Sequence, residues 1–238
     1  MSPADLVAVS AVVAVGALVQ GAVGFGLVLI AAPLVTLIDP RFVPGPMLVA
    51  ALMLTLVMSY RDRGGIDVSG VGWAFVGRVP GSVLGALLLA TMSESQLELA
   101  VAVTVFVGVA MAGSGLRVPI TRPTLLGAGF LSGVMGTTTA IGGPPIAIVY
   151  QHATGPNLRG TLSGFFVVGS ILSMATLALV GRFGLAQIRD GVLLLPGLLV
   201  GYLLSLPATR VLDRGYTRGA VLTVSAAAAL VLLVRRVL

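Results

Sequence analysis

Residues 129–145 read Gly129-Phe-Leu-Ser132-Gly133-Val-Met-Gly136-Thr137-Thr138-Thr139-Ala-Ile-Gly142-Gly143-Pro144-Pro145, and no charged residue occurs from Thr124 to Tyr150. A glycine pair followed by two prolines damages a helix. Proline lacks the N–H that helical hydrogen bonding needs, and glycine loses the most conformational freedom when it is confined. The run therefore breaks an apolar segment in its middle rather than at its end. Residues 20–33 repeat the pattern: Gln20-Gly21-Ala-Val-Gly24-Phe-Gly26, with Pro33 seven residues on.

The rest of the chain supplies the setting for these breaks. Of its 238 residues 57% are hydrophobic and only 9% charged, with a mean hydropathy of +1.10. Soluble domains carry about 25% charged residues, so the surrounding solvent is mostly lipid. In lipid every backbone polar group is paired within the chain, which restricts spans to helices or closed barrels. Barrel strands alternate apolar and polar residues, whereas residues 192–206 and 220–234 are nearly continuous apolar runs. The fold class is an all-α polytopic membrane protein. Met1 to Asp5 has no basic n-region, and the first apolar stretch reads as a retained helix.

Eight hydrophobic segments are expected near 5–38, 43–60, 71–91, 96–113, 124–152, 158–180, 189–208 and 218–236. Gly21 and Gly24 match Gly133 and Gly136 at an offset of 112 residues; Pro33 then falls on Pro145 and Pro44 on Pro156. Pro80-Gly81 with Gly85 matches Pro196-Gly197 with Gly201 at an offset of 116. Two four-segment repeats follow, 1–116 and 124–238, joined by residues 117–123 into one transport domain. Segment one, as a single helix, would be about 50 Å long against a hydrocarbon core of about 30 Å. Segments one and five are therefore expected to be broken or re-entrant, as in transporters that aim half-helix N-termini at an anionic substrate. Gly85 and Gly201 fit close helix packing instead.

Orientation depends on those two segments. If all eight cross fully, the side holding both termini carries eight arginines against five, which puts the termini inside. If segments one and five return to their own side, the repeats invert and the same numbers exchange sides.

Chemistry-bearing residues are few. All fourteen basic residues are Arg, most in connectors, where they anchor a membrane protein rather than bind nucleic acid. Arg78 differs, lying inside segment three with no acidic neighbour in that segment. An arginine at membrane depth costs at least ~2.5–3.5 kcal/mol. It faces a ligand, a cavity or a backbone carbonyl, or it snorkels to the interface, and its planar fork suits oxyanions. No Asp or Glu lies mid-span, which argues against a cation substrate. Gln20, Ser132 and Thr137 to Thr139 cluster at the breaks, where amides and hydroxyls hold anions without a buried countercharge. The alternative for the threonines is bonding back to helix carbonyls. The chain has no cysteine and one histidine, His152, which excludes thiolate metal sites and leaves His152 as an interfacial hydrogen-bonding group, with proton carriage as the alternative. No catalytic triad, P-loop or zinc motif occurs, so neither an enzyme nor an ATP-driven pump is expected, and no cofactor or metal.

The glycine-rich breaks resemble those of the TauE/SafE family of sulfite-exporter-type permeases. Gln20 to Gly26 with Pro33 is similar to the first-half motif, and Gly129 to Gly136 running into Gly142-Gly143-Pro144-Pro145 to the second. The resemblance implies secondary transport of sulfite, sulfonates or related small organic anions across the bacterial inner membrane by a multi-pass protein. Thr137 to Thr139 stand where the family often carries more glycine, which leaves the substrate open. The expected substrate-binding set is Gln20, Gly24, Gly26, Arg78, Ser132, Gly136, Thr138 and Gly142, at a midplane site between the repeats. The partners are a small anionic substrate and the lipid bilayer, with a homo-oligomer left open. A gated anion channel, or an uptake permease coupled to an ion, uses the same residues.

Overall fold

The computed structural model describes residues 2–153 and 155–212, of which 209–212 are described by backbone alone, together with 225–227, 229–231 and 234. Ten helices are resolved up to residue 212: α1 Pro3–Val23, α2 Leu27–Ile38, α3 Gly45–Arg61, α4 Val68–Thr91, α5 Glu94–Gly113, α6 Arg122–Thr139, α7 Gly143–Val149, α8 Gly155–Leu179, α9 Leu185–Val192 and α10 Leu195–Leu212. Short 3₁₀ turns at Pro40–Phe42 and Arg63–Gly65 join them.

Local chemistry sets the boundaries. Ser2 with Asp5 and Ser93 with Gln96 form reciprocal capping boxes that satisfy first-turn N–H groups of α1 and α5. Asp67 caps α4 by accepting from the Gly70 N–H at 2.9 Å. α1 ends on Gly24, left-handed at φ 103°, with its N–H on the Gln20 carbonyl at 2.7 Å. Gly26 is also at positive φ, 126°, so only glycine suits this corner. α6 ends on Ala140, which adopts φ 64° without being glycine.

Among the described residues four helices are long and apolar enough to cross a membrane: α1, α4, α5 and α8. A fifth span forms if α9 and α10, bent by 47°, count as one. The eight expected segments thus correspond to fewer unbroken spans. The breaks divide segments one and five, α3 has only 17 residues, and most of segment eight, 218–236, lies outside the described residues. Large apolar side chains remain exposed along α4 and α5, including Val76, Val83, Leu87, Val103 and Val107. An all-α membrane protein places such side chains against lipid.

Glycine contacts give the helix directions. A methyl group on Gly77 would overlap the Leu126 carbonyl, one on Gly81 the Phe130 carbonyl, and one on Gly85 would lie 2.8 Å from the Val134 carbonyl. α4 and α6 therefore run side by side in the same direction. Gly197 and Gly201 meet the carbonyls of Ser10 and Ala14 in the same manner, so α1 and α10 are also parallel. One face of the bundle collects the end of α3, the start of α4 and the α7–α8 connection. There Tyr150 donates to Asp67 at 2.7 Å, the Asp67 N–H donates to Thr161 at 2.9 Å, and Gln151 donates to the Leu116 carbonyl. The opposite face holds the end of α4, where Arg182 donates to the Ala90 carbonyl at 2.9 Å, and the start of α3, where Gly45 packs on Gln187 and Phe183. α6 leaves the first face and α7 brings the chain back to it. α1 ends at the first face, where Arg61 donates to the Gly21 carbonyl at 3.1 Å. α2 then returns to the second face, its following turn packed on α9.

Candidate functional site

The two helix breaks face one another across an internal cavity of about 40 Å³. Gln20, Phe25, Gly26, Val28 and Leu29 come from the first break, and Ala140, Ile141, Gly142, Gly143 and Pro144 from the second. α3 adds Leu48, Ala51 and Thr55, α8 adds Phe166 and Ser170, and α4 adds Arg78.

Arg78 is 2% exposed. Its Nη1 donates to Ser132 Oγ at 2.7 Å and its Nη2 to Ser173 Oγ at 3.3 Å. The Ser132 hydroxyl in turn donates to the Gly142 carbonyl at 2.5 Å, and Ser173 shares a 2.8 Å hydrogen bond with Thr137. The guanidinium sits 4.9 Å from the Phe165 ring centroid, a cation–π contact that favours charge where water is scarce. Nε has no partner. Among the described residues no carboxylate pairs with Arg78. A guanidinium remains charged in proteins, so the cavity wall carries a positive charge that no carboxylate among the described residues balances.

The first break adds backbone donors. Gln20, 4% exposed, accepts the Leu27 N–H through Oε1 at 3.1 Å, which ties the start of α2 back onto α1. The first-turn N–H groups of Val28 and Leu29 have no intrahelical partner, and both residues line the cavity. A helix N-terminus also carries a partial positive charge of roughly half a unit. These features together can hold an oxyanion.

The expected residues divide into three groups. Gln20, Gly26, Arg78 and Gly142 line the cavity. Ser132 and Gly136 lie behind Arg78: Ser132 holds Nη1, and a methyl on Gly136 would stand 2.9 Å from Nη2 and 3.2 Å from the Gly142 Cα. Gly24 and Thr138 lie elsewhere. Gly24 turns α1 against the Arg159 side chain, and the Thr138 hydroxyl bonds the carbonyls of Val134 at 2.8 Å and Gly85 at 3.3 Å. The sequence reading missed Phe25, Phe166, Ser170, Ser173 and Gly169. A methyl on Gly169 would overlap the Arg78 guanidinium, so that glycine makes the room the charge occupies. Gly169 and Ser173 are four residues apart and share one face of α8, a spacing that signals a site only once Arg78 is known to lie opposite.

A second hollow, of about 340 Å³, lies at the first face between Gly64, Gly65, Asp67, Tyr150, Asn157 and Thr161, among others. Its charged group is a carboxylate, so it does not favour an anion. Among the described residues no group of three or more His, Cys, Asp or Glu is placed to hold a metal ion.

The family model described as "Sulfite exporter TauE/SafE" matches residues 8–232. The chain belongs to the TauE/SafE family. Comparison with curated proteins and with solved structures gave no match. TauE/SafE members are transporters and not enzymes. Family and fold together describe a polytopic membrane transporter of small anions.

Proposed function

We propose that this protein is a secondary transporter that exports a small sulfur-containing or organic anion across the bacterial inner membrane. The observation that carries this reading is Arg78: a buried guanidinium with no carboxylate partner among the described residues and a place on the cavity between the two helix breaks. Arg78, Gln20, Gly26 and Gly142 contact the anion. Ser132 and Gly136 hold and accommodate Arg78. Gly24 and Thr138 shape the two breaks.

The two repeats, 1–116 and 124–238, have inverted topology in this reading. In support, α1 with α2 begins and ends at one face of the bundle, while α6 with α7 begins and ends at the other. Each helix of the first half that packs tightly does so against one of the second: α1 on α10, α3 on α8, α4 on α6. Rocking of one half against the other exposes the cavity alternately to the two sides. The face holding Arg61, Arg63, Arg117, Arg122 and Arg159 is cytoplasmic by the positive-inside rule, against Arg41, Arg182 and Arg189 at the opposite face. Each negative charge leaving a cell gains about 2.3 kcal/mol per 100 mV of interior-negative potential, so export needs no coupled ion.

Purified protein screened by thermal shift against sulfite, thiosulfate, sulfoacetate and small carboxylates tests this function. A true ligand raises the unfolding temperature by binding the folded state alone. No shift with any anion, at concentrations up to tens of millimolar, would remove the cavity as a substrate site.

A further inference from the structure

Arg78 and Arg159 are the two buried arginines among the described residues, and Arg159 is 9% exposed. Helix periodicity fixes the place of Arg159. In α8, Arg159, Ser163, Phe166 and Ser170 are spaced by four, three and four residues, so they form one stripe. Phe166 and Ser170 line the Arg78 cavity. In α3, Thr55 lines the same cavity, and Asp62, seven residues on, caps the helix on the same side. Arg159 Nε lies 3.7 Å from Asp62 Oδ2. The pair therefore sits two helical turns, about 10 Å, from the cavity toward the first face. The corner of the first break abuts it, since a methyl on Gly24 would stand 3.1 Å from Arg159 Cγ.

The chemistry of this place suits a second oxyanion. Asp62 gives its close contacts to Arg61, at 2.7 and 3.1 Å, and reaches Arg159 only at 3.7 Å. Two guanidinium groups thus share one carboxylate, and the second is held loosely. The start of α8 lies beside it, where a methyl on Gly155 would stand 3.3 Å from Arg159 Nη1. A helix N-terminus is itself partly positive. Between Arg159 and the cavity, Ser163 is fully buried and its hydroxyl has no hydrogen-bond partner. An idle buried hydroxyl costs stability, and a passing oxyanion would give it an acceptor. On the reading of the Arg78 cavity as the anion site, we propose that Arg159 forms a separate entry site for small oxyanions at the cytoplasmic side. From it the anion moves along the α8 stripe, past Ser163, to Arg78. Asp62 is the competitor built into the chain: its carboxylate stands where the incoming oxyanion binds and holds the entry shut until displaced.

Equilibrium binding of radiolabelled sulfite and thiosulfate to the full chain in nanodiscs, with flux of the same anions in proteoliposomes, tests this entry site. Each variant is first shown to be folded by its unfolding temperature. Arg78→Gln removes the cavity site. Adding Asp62→Asn is expected to reveal anion binding at Arg159, and adding Arg159→Gln to that pair is expected to abolish it. In flux at low anion concentration, Asp62→Asn is expected to speed transport and Arg159→Gln to slow it about tenfold, the worth of one charged hydrogen bond. A purely structural ion pair moves both variants the same way, since each breaks the same contact. Ser163→Ala is expected to slow flux while its unfolding temperature holds or rises, because it deletes a buried hydroxyl without a partner. Effects of Asp62→Asn and Arg159→Gln in the same direction, no binding in the Arg78→Gln, Asp62→Asn protein, or unchanged flux in Ser163→Ala overturns the entry site and leaves the Arg78 site standing. Flux absent from the wild type, or unchanged by Arg78→Gln, overturns the cavity reading and the entry site with it.

Discussion

Arg78 is held in place by atoms that are not its counterions. Two serines from different helices accept from its two Nη groups, and Phe165 supplies an aromatic face. Such an environment orients a guanidinium but does not neutralise it, unlike a structural ion pair. Arg61 shows the contrast, since it binds the Asp62 carboxylate at 2.7 Å. Gly169→Ala is a sharp probe of the arrangement. Alanine is better than glycine inside a helix by roughly 0.5–1 kcal/mol, yet here its methyl overlaps the guanidinium. The variant should keep its fold, as read by unfolding temperature, while its anion affinity falls about tenfold or more. Unchanged affinity would show that the position of Arg78 does not matter. Arg78 was legible in the sequence as a charge without a partner. Ser132 was expected at the same site, but Ser173, 95 residues from Arg78 in the chain, was not, because only packing brings it there.

At the scale of elements, glycine serves two ends that sequence alone does not separate. Gly24 and Gly26 take positive φ and make the first break. Gly21, Gly133 and Gly136 lie inside helices and let another helix or side chain approach closely. The second break starts at Ala140, later than the glycine pattern suggests. Thr138 and Thr139 remain helical, with hydroxyls bonded to the carbonyls of Val134 and Met135, each at 2.8 Å. This is the back-bonding that competed with a binding role for the threonines. The α4–α6 seam offers a test within one helix. Gly77 and Gly72 both belong to α4, but a methyl on Gly77 overlaps the Leu126 carbonyl, while nothing lies within 4 Å of one on Gly72. Gly77→Ala should cost about 1–3 kcal/mol through overpacking, and Gly72→Ala should be neutral or slightly stabilising. Thermal unfolding in detergent reads both, and equal effects would contradict the seam.

For the whole molecule, composition and apolar runs sufficed to identify a helical membrane protein, and the paired breaks pointed to its family. They did not fix orientation, because the arginine numbers merely change sides when segments one and five return. The contacts of Gly21 with Ser205 and of Tyr150 with Asp67 carry the long-range information that the sequence lacks. The absence of native cysteine makes this topology directly testable. Gly64→Cys and Leu116→Cys should react with an impermeant thiol reagent from the cytoplasmic side only, and Ala186→Cys from the outside only. Labelling of Gly64→Cys and Leu116→Cys from opposite sides would contradict the arrangement. In the proposed transport the Arg78 charge holds the anion as it crosses the membrane. The most direct test is anion efflux from proteoliposomes under an interior-negative potential, comparing wild type with Arg78→Lys and Arg78→Gln, each first shown to be folded by its unfolding temperature. Potential-driven efflux is expected in the wild type, partial loss with Lys, which keeps the charge without the fork, and at least a tenfold loss with Gln. Wild-type efflux in a folded Arg78→Gln protein would contradict it.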